Sequence, residues 1–274
     1  MNEQSRQEDI AGRGRWWTPR TVAVGHTLHC RIGPLTLELH HAPGEWDIGM
    51  RQGAEDGDEI TAELDLHGGP LTLDDYQRFM FSRDDDQIRL TPVPADRAVV
   101  IKPRQAVFLP SGEETLLYVS SPVMVRIEAG ADRTLLREVP ALRLSDTWFG
   151  SSTREGELCY SGRTQARHVL EEVPRRSYRA ITPARIRNEG ITPLPLDKLS
   201  VPVPALSIYG DGDGALWTQG ISLVRGAESE LAALTVDDGP PDFAGPVTLL
   251  SGPREPRTRG ALVRAFSVLF GQGA

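Results

Sequence analysis

The chain has 274 residues, 39% hydrophobic and 25% charged, so it is long enough for one large domain or two ordinary ones and too apolar for disorder. A net charge of −8 excludes a uniformly basic surface and argues against a general nucleic-acid binder. Two cysteines, Cys30 and Cys159, with no CxxC pair, exclude a disulfide-rich secreted framework.

The N-terminus, MNEQSRQEDIAGRGR, is polar where a signal peptide needs an apolar stretch, and no run approaches the roughly 18 apolar residues of a membrane-spanning helix. The expected location is the cytoplasm. Residues 1–21 read as a flexible tail whose Trp16-Trp17 docks on the body.

From residue 22 the pattern is β. Leu35, Leu37 and Leu39 alternate with Thr36, Glu38 and His40, Ala42-Pro43-Gly44-Glu45 forms a turn, and Trp46 and Ile48 share a face on the return strand. Residues 51–60 are an acidic loop. Asp74–Phe79 fits a short Asp-capped helix or an irregular strand, and Asp84-Asp85-Asp86 a loop tip.

Four strand candidates follow, at 98–101, 106–109, 116–119 and 123–127, with turns at Pro110-Ser111-Gly112 and Ser120-Ser121-Pro122. Ile101-Lys102-Pro103 is echoed by Ile181-Thr182-Pro183, and the segment 117–124 by 199–206. A spacing of about 80 residues suggests a duplicated β unit, with two unrelated meanders as the alternative. Further strands are expected at 206–209, 215–218, 221–225, 231–236 and 247–250. Leu262, Phe266, Leu269 and Phe270 recur at helical spacing, which predicts a C-terminal amphipathic helix within 256–274.

The expected fold is therefore all-β. It has two sandwich-like domains, 22–145 and 166–255, joined by a polar connector at 146–165 and followed by the terminal helix.

The connector region SDTWFGSSTREGELCYSGRTQ lacks an apolar period and concentrates polar side chains between the two β blocks. Asp146, Trp148, Ser152, Thr153, Glu155, Glu157 and Tyr160 are the candidate ligand-binding residues, because ligand sites favour domain interfaces. The alternative is a connector whose polar groups satisfy its own backbone.

No residue is assigned a catalytic or metal-ligating role, and no cofactor is expected. Cys159 and His168 invite a nucleophile–base reading, but no motif surrounds them, and a buried cysteine usually packs as a small hydrophobe. His26, His29, Cys30, His40 and His41 could supply only two or three convergent ligands, since neighbours on a strand face opposite ways. Asp211 and Asp213 in GDGDG resemble a fragment of a calcium loop, yet a hairpin turn is the simpler reading. No phosphate-binding loop, GxSxG or HExxH is present. The cluster Arg175, Arg176, Arg179, Arg185 and Arg187 is the densest positive patch. It would either bind an anion or anionic headgroups, or pair with the abundant carboxylates.

Several phrases carry a family resemblance. They are Arg31-Ile32-Gly33-Pro34-Leu35 with Glu45-Trp46, Leu144–Gly150 running into Ser152–Tyr160, Arg179–Pro183, Val201–Pro204 and Leu216-Trp217-Thr218. With them the chain resembles an uncharacterised prokaryotic family, domain-of-unknown-function family 432, over residues 30 to 250. The resemblance implies no activity.

The functional expectation is a non-catalytic binding or scaffold protein that engages a protein or small ligand near the connector. The alternatives are a hydrolase-like enzyme with its site in 145–168, or a membrane-peripheral partner of a membrane protein, attached through the terminal helix and the Arg patch.

Overall fold

The computed structural model describes residues 15–54, 62–150, 152–226, 231–256 and 261–266. Within them the chain is mostly strand, as its period-two alternation predicts. In chain order the strands are β1 (Arg20–Thr21), β2 (His26–Ile32), β3 (Leu35–Ala42), β4 (Glu45–Gln52), β5 (Ala62–Gly68), β6 (Tyr76–Met80), β7 (Gln87–Pro94), β8 (Val99–Pro103), β9 (Val107–Leu109), β10 (Glu114–Ala129) and β11 (Thr134–Pro140). The second half continues with β12 (Asp146–Phe149), β13 (Glu157–Ala166), β14 (Arg179–Asn188), β15 (Leu194–Leu196), β16 (Leu199–Val201), β17 (Ile208–Asp211), β18 (Leu216–Trp217), β19 (Ile221–Arg225), β20 (Ala232–Val236), β21 (Val247–Ser251) and β22 (Ala261–Val263).

A five-stranded antiparallel sheet, β5-β2-β3-β4-β6, carries the first hairpins. Its inward residues Leu28, Cys30, Ile32, Leu35, Leu37, Leu39, Trp46 and Ile48 are all buried. They share one core with Ile88 and Leu90 of β7 and Val123, Val125 and Ile127 of β10. Asp74–Phe79 resolves as loop and strand, with β6 pairing along β4.

Glu38 alternates with the leucines yet is also buried. Its carboxylate accepts hydrogen bonds from the Thr72 amide (2.6 Å), the Thr72 hydroxyl (2.5 Å) and the Leu73 amide (3.0 Å), which pins the β5–β6 loop over the sheet. Burial works to raise this carboxyl, but those three donors and the nearby His29 outweigh it and hold it below the usual 4.5. A depressed folded value means a stabilising contribution that is complete above the unfolded value and is lost as pH falls through the folded one. Glu38→Gln should therefore cost roughly 1.5–3 kcal/mol at neutral pH, the range for hydrogen bonds to a charged group. It should also flatten the loss of stability below pH 4.5, read by urea denaturation across pH 3–7. An acid limb identical to that of the parent chain would contradict this.

The unexpected feature of the fold is β10. Ser120-Ser121-Pro122 is not a turn. The strand runs unbroken through it and changes partners instead. Residues 114–122 pair with β14, whereas 123–129 lie between β7 and β11. Proline lacks an amide donor, so Pro122 is tolerated where one ladder ends and the next begins. The change of partners carries an eleven-stranded mixed sheet from the first core into a second one. That second core combines Val99, Ile101, Leu117 and Val119 with Ile186, Leu199, Leu223, Leu234 and Phe266. Buried hydrophobic residues between Ala95 and Val119 thus share a core with residues between Ala166 and Phe266.

Three further expectations are corrected. Trp16 is fully buried, as docking on the body predicts, but Arg20–Thr21 forms strand β1 paired to β7 in place of the expected flexible tail. Asp146–Phe149 and Glu157–Ala166 pair antiparallel as β12 and β13 within a four-stranded sheet β12-β13-β8-β16, in place of the expected connector. The terminal helix is absent where the chain is described. Ala261–Val263 is a strand pairing antiparallel with β20, Leu262 is exposed, and Phe266 is buried beside Leu199. Leu262 and Phe266 therefore do not share a face; β20 offers an open ladder that β22 completes. The remainder of 256–274, including Leu269 and Phe270, lies outside the described residues, as do most of 51–60 and residues 1–14.

The echo of 117–124 in 199–206 is not structural either. The first is continuous strand, while the second is β16 followed by a 3₁₀ turn at Val203–Ala205.

Candidate functional site

The seven sequence-selected residues occupy the β12/β13 hairpin without converging on one cavity. Asp146 and Tyr160 are cross-strand partners on one face. Asp146 pairs with Arg97 at 3.0 Å, Arg97 lies over the Tyr160 ring at 5.1 Å, and the Tyr160 hydroxyl donates to Asp96 at 2.9 Å. Burial, then the bond and charge of Asp96, push that phenol above its usual value. Trp148 is exposed opposite Leu158, and its indole N–H donates to the Ser152 carbonyl at 2.8 Å. The Ser152 hydroxyl accepts from the Arg154 and Glu155 amides, closing the hairpin tip, while Thr153 is exposed. Glu157 faces the other way and accepts from Ser200 at 3.4 Å. Trp148 and Ser152 thus serve the hairpin's own geometry, while Asp146, Tyr160 and Glu157 bind side chains of neighbouring segments.

Cys159 is buried on the inner face of the hairpin, and His168 lies exposed beyond the end of the same strand. The groups that act on the Cys159 thiol are Glu157, Ser200 and Arg97, not His168, so the two form no nucleophile–base pair. Burial, followed by the charge of Glu157, pushes the Cys159 thiol up to about 12, and burial pushes Cys30 to about 12. Both thiols should stay unreactive toward a disulfide reagent at pH 8 until the chain unfolds, then titrate as two. Rapid native labelling of either would contradict this.

The histidines and GDGDG also have structural duties. His41 is buried and stacked on Trp46, with Nδ1 2.6 Å from the Val22 carbonyl oxygen and Nε2 2.9 Å from Asp84. His40 meets the Thr27 hydroxyl at 2.9 Å. Among the described residues no group of three or more His, Cys, Asp or Glu side chains is arranged to hold a metal ion. The Asp211 carboxylate accepts from the Asp213 and Ala215 amides and from the Trp217 indole, which folds the β17–β18 hairpin.

The arginine patch divides. Arg185 pairs with Glu114 and Arg187 with Glu189, each at 3.3 Å, and Arg175 lies over the Trp217 ring at 5.6 Å. Arg176 and Arg179 turn elsewhere. Together with Arg163 and Arg167 they line a cleft of about 280 Å³ where β13, the partner-switching part of β10 and the start of β14 meet. Ser120, Thr164 and Gln165 supply further polar groups, and Val173 and Pro174 form an apolar wall. None of the described residues lining it is a carboxylate.

Local structure sets the cleft. Arg179 is 1% exposed and donates to the carbonyls of Gly162 (3.1 Å) and Ser120 (3.4 Å). Thr164 donates to the same Ser120 carbonyl at 2.9 Å. The register of β13 against β8 shifts between Ser161 and Gln165, and Arg163 inside that bulge has φ 51°, a left-handed conformation rare for a residue with a Cβ. Arg167 is held by a two-way backbone bridge to Tyr118, and its Nε is buried with no hydrogen-bond partner among the described residues. Sequence reasoning flagged Arg176 and Arg179 by their density but not Arg163 and Arg167. Those two join only because a bulge and a loop bring them there.

Fold and cleft define an all-β protein of mixed, partner-switching sheets with an arginine-lined recess at their junction. The family model described as "Protein of unknown function (DUF432)" matches residues 16–270, nearly the whole chain, and the chain belongs to that family. No curated protein and no solved structure matches it. No described helix is long and apolar enough to cross a membrane.

Proposed function

We propose that this is a non-catalytic binding protein that holds a small anionic ligand in the Arg163/Arg167/Arg176/Arg179 cleft. The supporting observation is four guanidinium groups, charged at any physiological pH, lining one recess of about 280 Å³ with no described carboxylate on its walls. Within that recess Arg163 and Arg167 make no ion pair among the described residues, and the Arg167 Nε is buried without a hydrogen-bond partner among them. A non-catalytic role is supported by the lack of reactivity expected of both thiols and by the structural partners already held by Asp146, Trp148, Ser152, Glu157 and Tyr160. The β13 end of the hairpin supplies Arg163, Thr164 and Gln165 to the cleft, so binding belongs beside the segment that sequence reasoning selected.

Thermal unfolding of the full chain with acetate, succinate, citrate, phosphate and pyrophosphate, against neutral sugars and amides at matched ionic strength, tests the reading. A ligand that binds only the folded state raises the midpoint with concentration. At least one anion should do so saturably, and Arg167→Gln should abolish the rise. Equal effects of anions and neutral solutes, or none, would refute the proposal.

A further inference from the structure

We infer that the cleft is built for a phosphoryl group, so that the ligand is a small phosphate ester or a phosphate-bearing headgroup. This inference rests on the binding reading above.

The first argument is charge. One guanidinium forms a bidentate pair with one carboxylate and neutralises it. Arg163 and Arg167 line the recess without an ion pair among the described residues, and the two together would over-compensate a monocarboxylate. A phosphate monoester carries about −1.5 to −2 at pH 7 and three strong acceptor oxygens, and so can engage several arginines at once.

The second argument is the arrangement of donors. Arg179 forms the buried floor, its direction set by the Gly162 and Ser120 carbonyls. Arg163 is presented from a bulge in a conformation costing about 1–3 kcal/mol, a cost that persists at sites where neighbouring structure requires a particular side-chain position. Arg167 brings a buried Nε that lacks a partner among the described residues. The Ser120 and Thr164 side chains line the same recess. Donors thus come from three separate segments, which suits a tetrahedral group better than a planar one.

The third argument is size and polarity. A volume of about 280 Å³ is just under the usual small-molecule range of roughly 300–1,000 Å³, and Val173 and Pro174 leave one apolar wall for the carbon skeleton of an ester.

Calorimetric titration of the full chain with inorganic phosphate, pyrophosphate and succinate tests this, together with co-sedimentation on phosphatidylcholine vesicles with and without phosphatidic acid. Phosphate or pyrophosphate should bind saturably and at least about tenfold more tightly than succinate. Arg163→Gln and Arg167→Gln should each weaken binding at least about tenfold, the loss expected for one charge-assisted contact. Arg185→Gln, whose side chain pairs with Glu114, should not change it. Arg163 is exposed and Arg167 half-buried, so both variants should keep the parent near-UV circular dichroism.

Binding to soluble phosphates alone supports the inference with a free phosphate ester as ligand. Sedimentation with phosphatidic acid vesicles that is lost in both variants supports it with a lipid headgroup as ligand. Succinate binding as tightly as phosphate overturns the phosphoryl assignment while leaving the anion-binding reading intact. Absence of binding by any anion, or full binding by both variants, overturns both.

Discussion

Trp16→Ala should lower the unfolding free energy by about 3–5 kcal/mol, the range for deleting a large buried aromatic side chain. Trp16 is fully buried, and its indole N–H donates to the Ser177 carbonyl at 2.9 Å. The ring also meets Trp17 edge-on at 5.9 Å. The contact joins the start of the described chain to the loop that leads into β14, 161 residues later. Its removal leaves both a cavity in the first core and a buried carbonyl without its donor. At roughly 2–4 °C per kcal/mol for a chain of about this size, the midpoint should fall by about 6–20 °C. Trp16→Phe should fall between the two, keeping most of the packing and losing the hydrogen bond. A Trp16→Ala midpoint within about 2 °C of the parent would show that this segment does not hold the two regions together.

Gly33→Ala should be nearly as damaging, about 2–5 kcal/mol, for two separable reasons. Gly33 has φ +56°, where a Cβ costs about 1–2 kcal/mol. A Cβ there would also lie 2.2 Å from Cδ1 of Tyr178, so the ring must move, and overpacking costs typically 1–3 kcal/mol. Tyr178 is buried between Arg176 and Arg179, whose guanidiniums lie 5.9 and 6.0 Å from its ring. Displacing it should therefore disturb the cleft as well as the core. Tyr178→Leu provides the internal check. If the ring clash is real, the Gly33→Ala/Tyr178→Leu double variant should lose less than the sum of the single losses. Strict additivity in urea denaturation would place the whole Gly33 effect in its backbone angle.

Local chemistry accounts for much of what could be read in advance. Alternation at Leu35, Leu37 and Leu39, the turn around Pro43-Gly44 and the GDGDG hairpin all translated into structure, because side-chain direction and turn preference are decided within a few residues. Two inferences failed for a common reason. Ser120-Ser121-Pro122 has turn composition, yet β14 on one side and β7 with β11 on the other hold it extended. Leu262 and Phe266 have helical spacing, yet pairing with β20 and burial beside Leu199 prevail. In both places a long-range ladder outweighed a local preference worth a kcal/mol or less per residue.

The site was legible only in part. Arg176 and Arg179 stood out as charge density, and 145–165 as a stretch that no apolar period explained. That Trp148 and Ser152 close a hairpin while Asp146, Glu157 and Tyr160 bind neighbouring segments follows from the β12/β13 pairing, and that Arg163 and Arg167 join Arg179 around a recess follows from one register shift in β13 and from the docking of 167 against Tyr118.

By itself the sequence determined an all-β chain, where most strands lie and how its family is recognised, because alternation and turn residues act at short range. Tertiary structure alone decided how β10 is shared between two cores, that the last described segment is strand, and which four arginines face one another. Those outcomes depend on which distant ladder a strand completes, a choice that burial of the whole molecule makes and no short window of residues contains.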